Sequence, residues 1–358
     1  MFHPPPFHPN RPGLVAPVRI DPAGLAGPTR GQARGPRWRA SAHGWYVPAY
    51  LDPTVVEQRI VEAAACLLPY GGVTGWAALR WQHAPWFDGL GADGVTPRPV
   101  TLATGMFHGR SQPGITMSEE RCRPEDLTEV DGLRVTTAVR SATFEMRYAA
   151  DERSAAVVLD MAAYSDLVSI SEAAAFADEL NGWTGIPQCR AALPLADENS
   201  WSVRESLMRL VWEVDAGKPR PLTNRPVFDR AGRLLGVPDL LDPVAGVVGE
   251  YDGAVHLAGR QRARDVRREH LFRSVGLEYV VMLAPDFSDI DGFVSRLHAT
   301  YARAAHAAES TRAWTIEPPP WWTPTVTVDQ RRALDPSMRS RLLRHRLRTG
   351  GLPGTPRR

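Results

Sequence analysis

A chain of 358 residues, 43% apolar and 23% charged, is more than twice the usual domain size and carries enough core formers to fold as two or three domains. No apolar run approaches the ~18 residues that a membrane span needs. The start, Met1-Phe-His-Pro-Pro-Pro, lacks the charged-then-apolar order of a signal peptide, so a cytoplasmic protein with no membrane association is expected.

Charge is unevenly placed. Residues 1–40 carry +5 and residues 329–358 carry +7, which leaves −10 for the middle of a chain of total charge +2. Basic ends around an acidic body point to a polyanion, DNA above all, as partner; a solvated arginine tail is the alternative. Lys218 is the only lysine. Cys66, Cys122 and Cys189 lie far apart, without the paired spacing of a zinc site, and read as buried thiols.

In chain order, the proline-rich residues 1–15 predict a disordered arm. Residues 16–50 read as a short helix and a basic, aromatic hairpin around Pro36-Arg-Trp-Arg39, the outline of a winged helix. Helices are predicted over 53–68 and 74–81, then strands at Val100-Thr-Leu-Ala, Gly114-Ile-Thr-Met and Gly132-Leu-Arg-Val-Thr. Four more helices follow over 138–149, 155–164, 171–180 and 201–214. The polar stretch 191–200 is the expected main boundary. Beyond it come two short strands around Pro243-Val-Ala-Gly246, a basic helix over 262–275 stopped by Gly276, and the strand Glu278-Tyr-Val-Val-Met-Leu283.

The hairpin carries chemistry. A four-residue loop at 243–246 sets Asp242 opposite Val247 and therefore Asp239 opposite Glu250. Strand alternation then puts Asp239, Glu250 and Asp252 on one face and Leu240 and Tyr251 on the other. Three like charges on one face need a counter-charge, either a divalent metal ion or the arginines of 262–268. Magnesium is commonly held by one or two carboxylates and can activate water for phosphodiester cleavage.

Ser202-Val-Arg-Glu205, Pro238-Asp239, Glu250-Tyr-Asp252-Gly253-Ala-Val-His256, Arg264-Asp265-Val-Arg-Arg268, Leu271 and Gly276 together resemble the very-short-patch-repair-like branch of the PD-(D/E)xK nuclease superfamily. The resemblance implies a central mixed sheet flanked by helices, a helix-borne acid at Glu205, metal-binding acids at Asp239 and Glu250, and Mg2+-dependent attack of water on nucleic acid, with Mn2+ as a substitute. The sequence departs from the motif where its lysine should stand, two residues after the second acid, because Asp252 occupies that slot. His256 either takes over proton transfer or phosphate contact, or merely caps the sheet end. Glu205 either points into the cleft or pairs with Arg209 at i+4. Asp265 and Arg268 either orient His256 and hold phosphate or form an intrahelical pair.

The front of the chain, through Gly44-Trp-Tyr-Val-Pro48, Thr74-Gly-Trp-Ala-Ala-Leu-Arg80 and Gly132-Leu-Arg-Val-Thr-Thr-Ala-Val-Arg140, resembles AbiEi-family antitoxin-like proteins. This implies DNA binding, autoregulation or defence, and a cognate toxin as partner. Arg30, Arg34, Arg37 and Arg39 are the candidate phosphate contacts there, with Arg264 and Arg268 in the nuclease-like part and Arg339, Arg341, Arg344, Arg346 and Arg348 as nonspecific contacts in the tail.

The expected architecture is α/β (α+β). It comprises a disordered arm (1–15), a winged-helix-like segment (16–50), an antitoxin-like α/β region (51–195), a restriction-endonuclease-like domain (196–305), and a Pro/Trp linker with an Arg-rich tail (306–358). The expected function is DNA binding with a magnesium-dependent endonuclease; the alternative is a non-enzymatic regulator or antitoxin whose nuclease fold is inactive.

Overall fold

A computed structural model of the chain describes residues 8–68, 70–105, 109–253, 259–306, 312–344 and 346, with residues 259–265 described by backbone alone. Helices and mixed sheets make an α+β protein. The chain divides into two compact units. Unit 1 contains residues 1–149 and 171–189, and unit 2 contains residues 150–170 and 190–351.

Unit 1 opens with a hairpin, β1 (Trp38–Ala42) and β2 (Trp45–Pro48), in which Arg39 pairs with Val47. The helix expected before it is reduced to a single 3-10 turn, Gln32–Arg34. The physical reason lies in 21–31, where three glycines and two prolines raise the cost of a helix. Asp21 instead closes a loop by accepting the N–H groups of Ala23, Leu25 and Ala26.

Next come α1 (Val56–Ala64), β3 (Gly72–Thr74), α2 (Gly75–Trp81), β4 (Val100–Ala103), β5 (Ile115–Ser118), β6 (Leu127–Val130), β7 (Leu133–Thr136) and α3 (Ala138–Arg147). The strands form one mixed sheet in the order β5-β4-β3-β7-β6. The Thr74-Gly-Trp motif has a local cause. Gly75 starts α2 at φ +62°, where a Cβ would meet Glu145 Oε1 at 2.4 Å. The same carboxylate accepts the N–H of Trp76 at 2.8 Å and pairs with Arg98 at 2.7 Å. Two helices follow in sequence, α4 (Glu152–Tyr164), which belongs to unit 2, and α5 (Ile170–Glu179), which belongs almost wholly to unit 1.

Across the boundary are α6 (Ile186–Ala192) and then α7 (Val203–Leu210), which continues as a wider π turn, Val211–Asp215. The strands β8 (Leu222–Thr223), β9 (Val227–Asp229), β10 (Leu234–Gly236), β11 (Leu240–Asp242) and β12 (Val247–Asp252) lead into α8 (Gly259–Ser274), β13 (Glu278–Leu283) and α9 (Ile290–His306). The central mixed sheet of unit 2 has the order β13-β12-β11-β8, with β12 and β13 parallel and the remaining pairs antiparallel.

One face of this sheet, through Leu240, Val247, Val280 and Met282, packs on Met208 and Trp212 and on Phe293 and Leu297 of α9. The other, through Leu241, Val248 and Tyr279, packs on Phe272 of α8. Gly249 lets the first layer close, since a Cβ there would stand 2.8 Å from the Trp212 ring and 2.9 Å from Met208 Cε.

The arginine-rich end is not a solvated tail where it is described. After β14 (Trp314–Thr315) it forms α10 (Val328–Arg332) and α11 (Pro336–Leu342). Arg331 is fully buried and donates to the carbonyls of Ala163 (2.7 Å), Glu198 (3.0 Å) and Thr325 (3.2 Å). Arg331 and Arg339 both pair with Asp166. Arg346 is buried on Tyr164, whose carbonyl it meets at 3.0 Å. Of the tail cations expected to meet phosphate, Arg346 is therefore committed inside unit 2, Arg339 is half-exposed and paired with Asp166, Arg341 and Arg344 are exposed, and Arg348 lies outside the described residues. Of the three cysteines Cys189 alone is buried; Cys66 and Cys122 are partly accessible, and none forms a disulfide.

Candidate functional site

The hairpin pairs Leu240 with Gly249, Leu241 with Val248 and Asp242 with Val247. This is the register expected from a loop at 243–246, and continued by one residue it brings Asp239 against Glu250. The Asp239 carboxylate accepts the N–H of Tyr251 at 2.7 Å, and its carbonyl accepts the N–H of Asn224 on the neighbouring edge at 2.9 Å. Glu250 sits on the α8 face, where its carboxylate lies 2.8 Å from Arg268. Asp252 ends β12 on that same face by alternation, opposite Leu283 of β13.

Glu205 enters from the first turn of α7. It does not pair with Arg209, which is fully buried on Asp160 at 3.0 Å. Glu205 instead closes the start of α7, whose N-cap is Ser202. Ser202 accepts its N–H at 3.2 Å, and its carboxylate accepts the Ser202 hydroxyl at 3.0 Å and the Trp201 N–H at 2.9 Å. The Asn224 amide donates at 2.8 Å to Oε2, the oxygen that also accepts the Trp201 N–H.

Burial pushes the Glu205 carboxyl up to about 8, with repulsion from Asp239 adding to it. Burial likewise raises Asp239, to about 6, against the lowering effects of the Tyr251 N–H and of Arg268. Two buried acids, one raised by the other's charge, hold a proton between them near neutral pH unless a cation arrives.

Among the described residues no group of three His, Cys, Asp or Glu side chains is arranged to hold a metal ion. The donor set nonetheless fits a hard divalent cation held by two carboxylates, because every donor is oxygen. Asn224 Oδ1 is also buried without a hydrogen-bond partner, on the amide that touches Glu205. Arg268, from α8, brings a guanidinium to Glu250 at 2.8 Å, a positive charge on the face where Asp252 adds a negative one. Lys218 is elsewhere, its ammonium 4.6 Å from the centre of the Tyr301 ring. His256 lies outside the described residues, as do the side chains of Arg264 and Asp265.

Sequence reasoning missed the frame around Glu205. Asn224, buried at φ +45°, also donates to the Asn199 carbonyl at 2.9 Å, and Asn199 returns bonds to the carbonyls of Thr223 at 2.7 Å and Asn224 at 3.2 Å. Arg346 then meets Asn199 Oδ1 at 3.2 Å. The available signal was an asparagine set between Pro221 and Pro226, a turn residue tolerant of positive φ.

In unit 1, Arg30, Arg34 and Arg37 are exposed. Arg39 is not available in the same way, because it forms a two-pronged pair with Glu62 of α1, both contacts at 2.8 Å. Comparison of the chain with protein-family models, with curated proteins and with solved structures returns no match.

Proposed function

We propose that unit 2 carries a magnesium-dependent endonuclease-type site that hydrolyses phosphodiester bonds of DNA, in a protein whose DNA binding serves antitoxin- or defence-type regulation with a cognate toxin. The observation that carries this reading is the hairpin register, which, continued by one residue, brings Asp239 against Glu250, with Asp239 close enough to raise the Glu205 carboxyl electrostatically.

Asp239 and Glu250 would hold Mg2+, or Mn2+ in its place; when bound, the ion supplies Lewis acidity and a water of lowered pKa. The chain's own part is positional and protonic. The Tyr251 N–H fixes Asp239, and Arg268 fixes Glu250 while offering a guanidinium to a phosphate oxygen. Glu205, raised to about 8 and held by three donors, keeps a proton near neutral pH that it can give up when a cation enters the site. Arg30, Arg34 and Arg37 offer exposed phosphate contacts in unit 1.

One observation favours a second reading, a regulator whose nuclease fold is only a binding platform. Asp252 stands at the lysine position, and the 2.8 Å Arg268 contact already balances Glu250. Cleavage of plasmid and single-stranded DNA with and without Mg2+ or Mn2+ separates the two. Wild-type protein should cleave only with metal, and Glu250→Gln, which deletes a charged ligand at constant size, should lose most cleavage and weaken metal binding. Absence of metal-dependent cleavage by wild-type protein that still binds DNA would leave the regulator.

A further inference from the structure

Unit 1 contains a cleft of about 320 Å³ that is remote in sequence from the acids above and independent of the nuclease reading. It is lined by Arg121, Arg123, Asp126, Arg140, Leu180 and Trp183, with Glu179 at its edge. Arg140 comes from α3 and is 4% exposed. Its Nη2 donates to the Arg121 carbonyl at 3.0 Å, while its Nε is buried with no hydrogen-bond partner.

The two acids nearby, Asp126 buried and Glu120 partly buried, hydrogen-bond other arginines. Asp126 accepts from Arg123, at 2.8 Å from its N–H and 3.1 Å from its guanidinium. Glu120 takes both prongs of Arg147 at 2.7 and 3.0 Å and the Tyr148 hydroxyl at 2.5 Å. Arg140 is left 3.7 Å from each, beyond hydrogen bonding. Glu125 and Glu179 approach only Arg123 and are more than half exposed at the side chain, so water screens them. Arg121 is exposed at the mouth and forms no side-chain contact among the described residues.

A buried guanidinium short of acceptors, facing an open cleft, is costly unless a ligand supplies them. Arg140 shares Asp126 and Glu120, at 3.7 Å, with Arg123 and Arg147, and Arg121 pairs with neither, so four arginines stand around two acids. That positive excess matches a phosphate monoester, which carries about −1.5 to −2 charge at neutral pH. A monocarboxylate would supply half of that. The rest of the lining suits a planar body. Trp183 has the Arg140 and Arg147 guanidiniums 5.4 and 5.2 Å from its ring centre, and Leu180 adds apolar surface. The volume is at the lower end of small-molecule sites, about 300–1,000 Å³.

We infer that this cleft binds a small phosphate monoester with a planar body, of the size of a nucleoside monophosphate, with Arg140 and Arg121 holding the phosphate against Trp183.

The test is calorimetric titration of the full chain with adenosine monophosphate, inorganic phosphate and adenosine, combined with hydrogen exchange to locate the contact. Adenosine monophosphate should bind, phosphate more weakly and adenosine not at all, with exchange slowed at 119–126 and 179–183. Arg121→Gln, at an exposed position, should weaken binding about five- to tenfold, and Arg140→Gln by more than about tenfold. If Arg140→Gln does not fold, Arg121→Glu decides, because charge reversal at the mouth should abolish binding without touching the core. No binding by folded wild-type protein at millimolar ligand, equal binding of adenosine, unchanged affinity in both Arg121 variants, or protection confined to other segments would each overturn the inference.

Discussion

Replacing Asp239 by Asn should stabilise the metal-free protein, and the gain should depend on pH. Asn keeps an oxygen for the Tyr251 N–H, which the carboxylate accepts at 2.7 Å, but removes the charge that burial disfavours and that repels Glu205. The sign follows from proton linkage. The folded-state carboxyl is raised to about 6, above its unfolded value of about 3.9. The native state therefore binds more protons than the unfolded state between those values, and stability falls as pH rises through that window. Below about pH 4 the aspartate is neutral in both states and Asn gives nothing; above about pH 6 the deficit is complete. A shift of about two units sets a ceiling of ~3 kcal/mol. Because Arg268 loses a favourable neighbour and Glu205 shares the titration, about 1 kcal/mol is the working expectation. Urea unfolding of wild type and Asp239→Asn at pH 4, 6 and 8 without divalent ions measures it directly. A difference constant across the three pH values, or an Asn variant less stable at pH 8, would refute the claim that this carboxylate is held charged against its preference. Added Mg2+ should reverse the order, since a cation binding only the wild-type native state stabilises by mass action.

Two further outcomes concern the scaffold. Arg209→Met should cost about 3–5 kcal/mol by stranding the fully buried Asp160, and adding Asp160→Asn should recover more than ~1 kcal/mol of that in a double-mutant cycle followed by denaturant unfolding; simple additivity would count against a coupled pair. Arg331→Ala leaves three carbonyls without this donor and Asp166 with Arg339 as its remaining arginine, so a loss of about 3 kcal/mol is expected by thermal unfolding, with DNA affinity of the remaining folded protein unchanged; an unaltered melting temperature with weakened DNA binding would return this arginine to the nucleic-acid surface.

Periodicity and turn chemistry determined most of the local structure. Strand β13 lies where its apolar run and flanking glycine put it, and the loop 243–246 fixed the register of Leu240 on Gly249 and Asp242 on Val247, because a four-residue turn leaves strands no freedom to slip without turning every side chain to the wrong face. Charge counting found the arginines but not their use. Whether a guanidinium meets phosphate, a carbonyl or a carboxylate depends on what packs beside it. That separates the exposed Arg30, Arg34 and Arg37 from Arg39 on Glu62 and from Arg331 and Arg346 inside unit 2. Glu205 shows the same division. Its Ser-x-x-Glu spacing is a local capping signal, legible in sequence, whereas its raised carboxyl comes from burial and from Asp239, 34 residues away, against the lowering effect of the Asn224 amide. Helix α9, which seals one face of the central sheet with Phe293 and Leu297, drew no sequence expectation. The sequence by itself determined which residues could alternate, cap and turn; only the tertiary structure decided which charges were buried together, because desolvation and repulsion depend on neighbours that the chain brings in from afar.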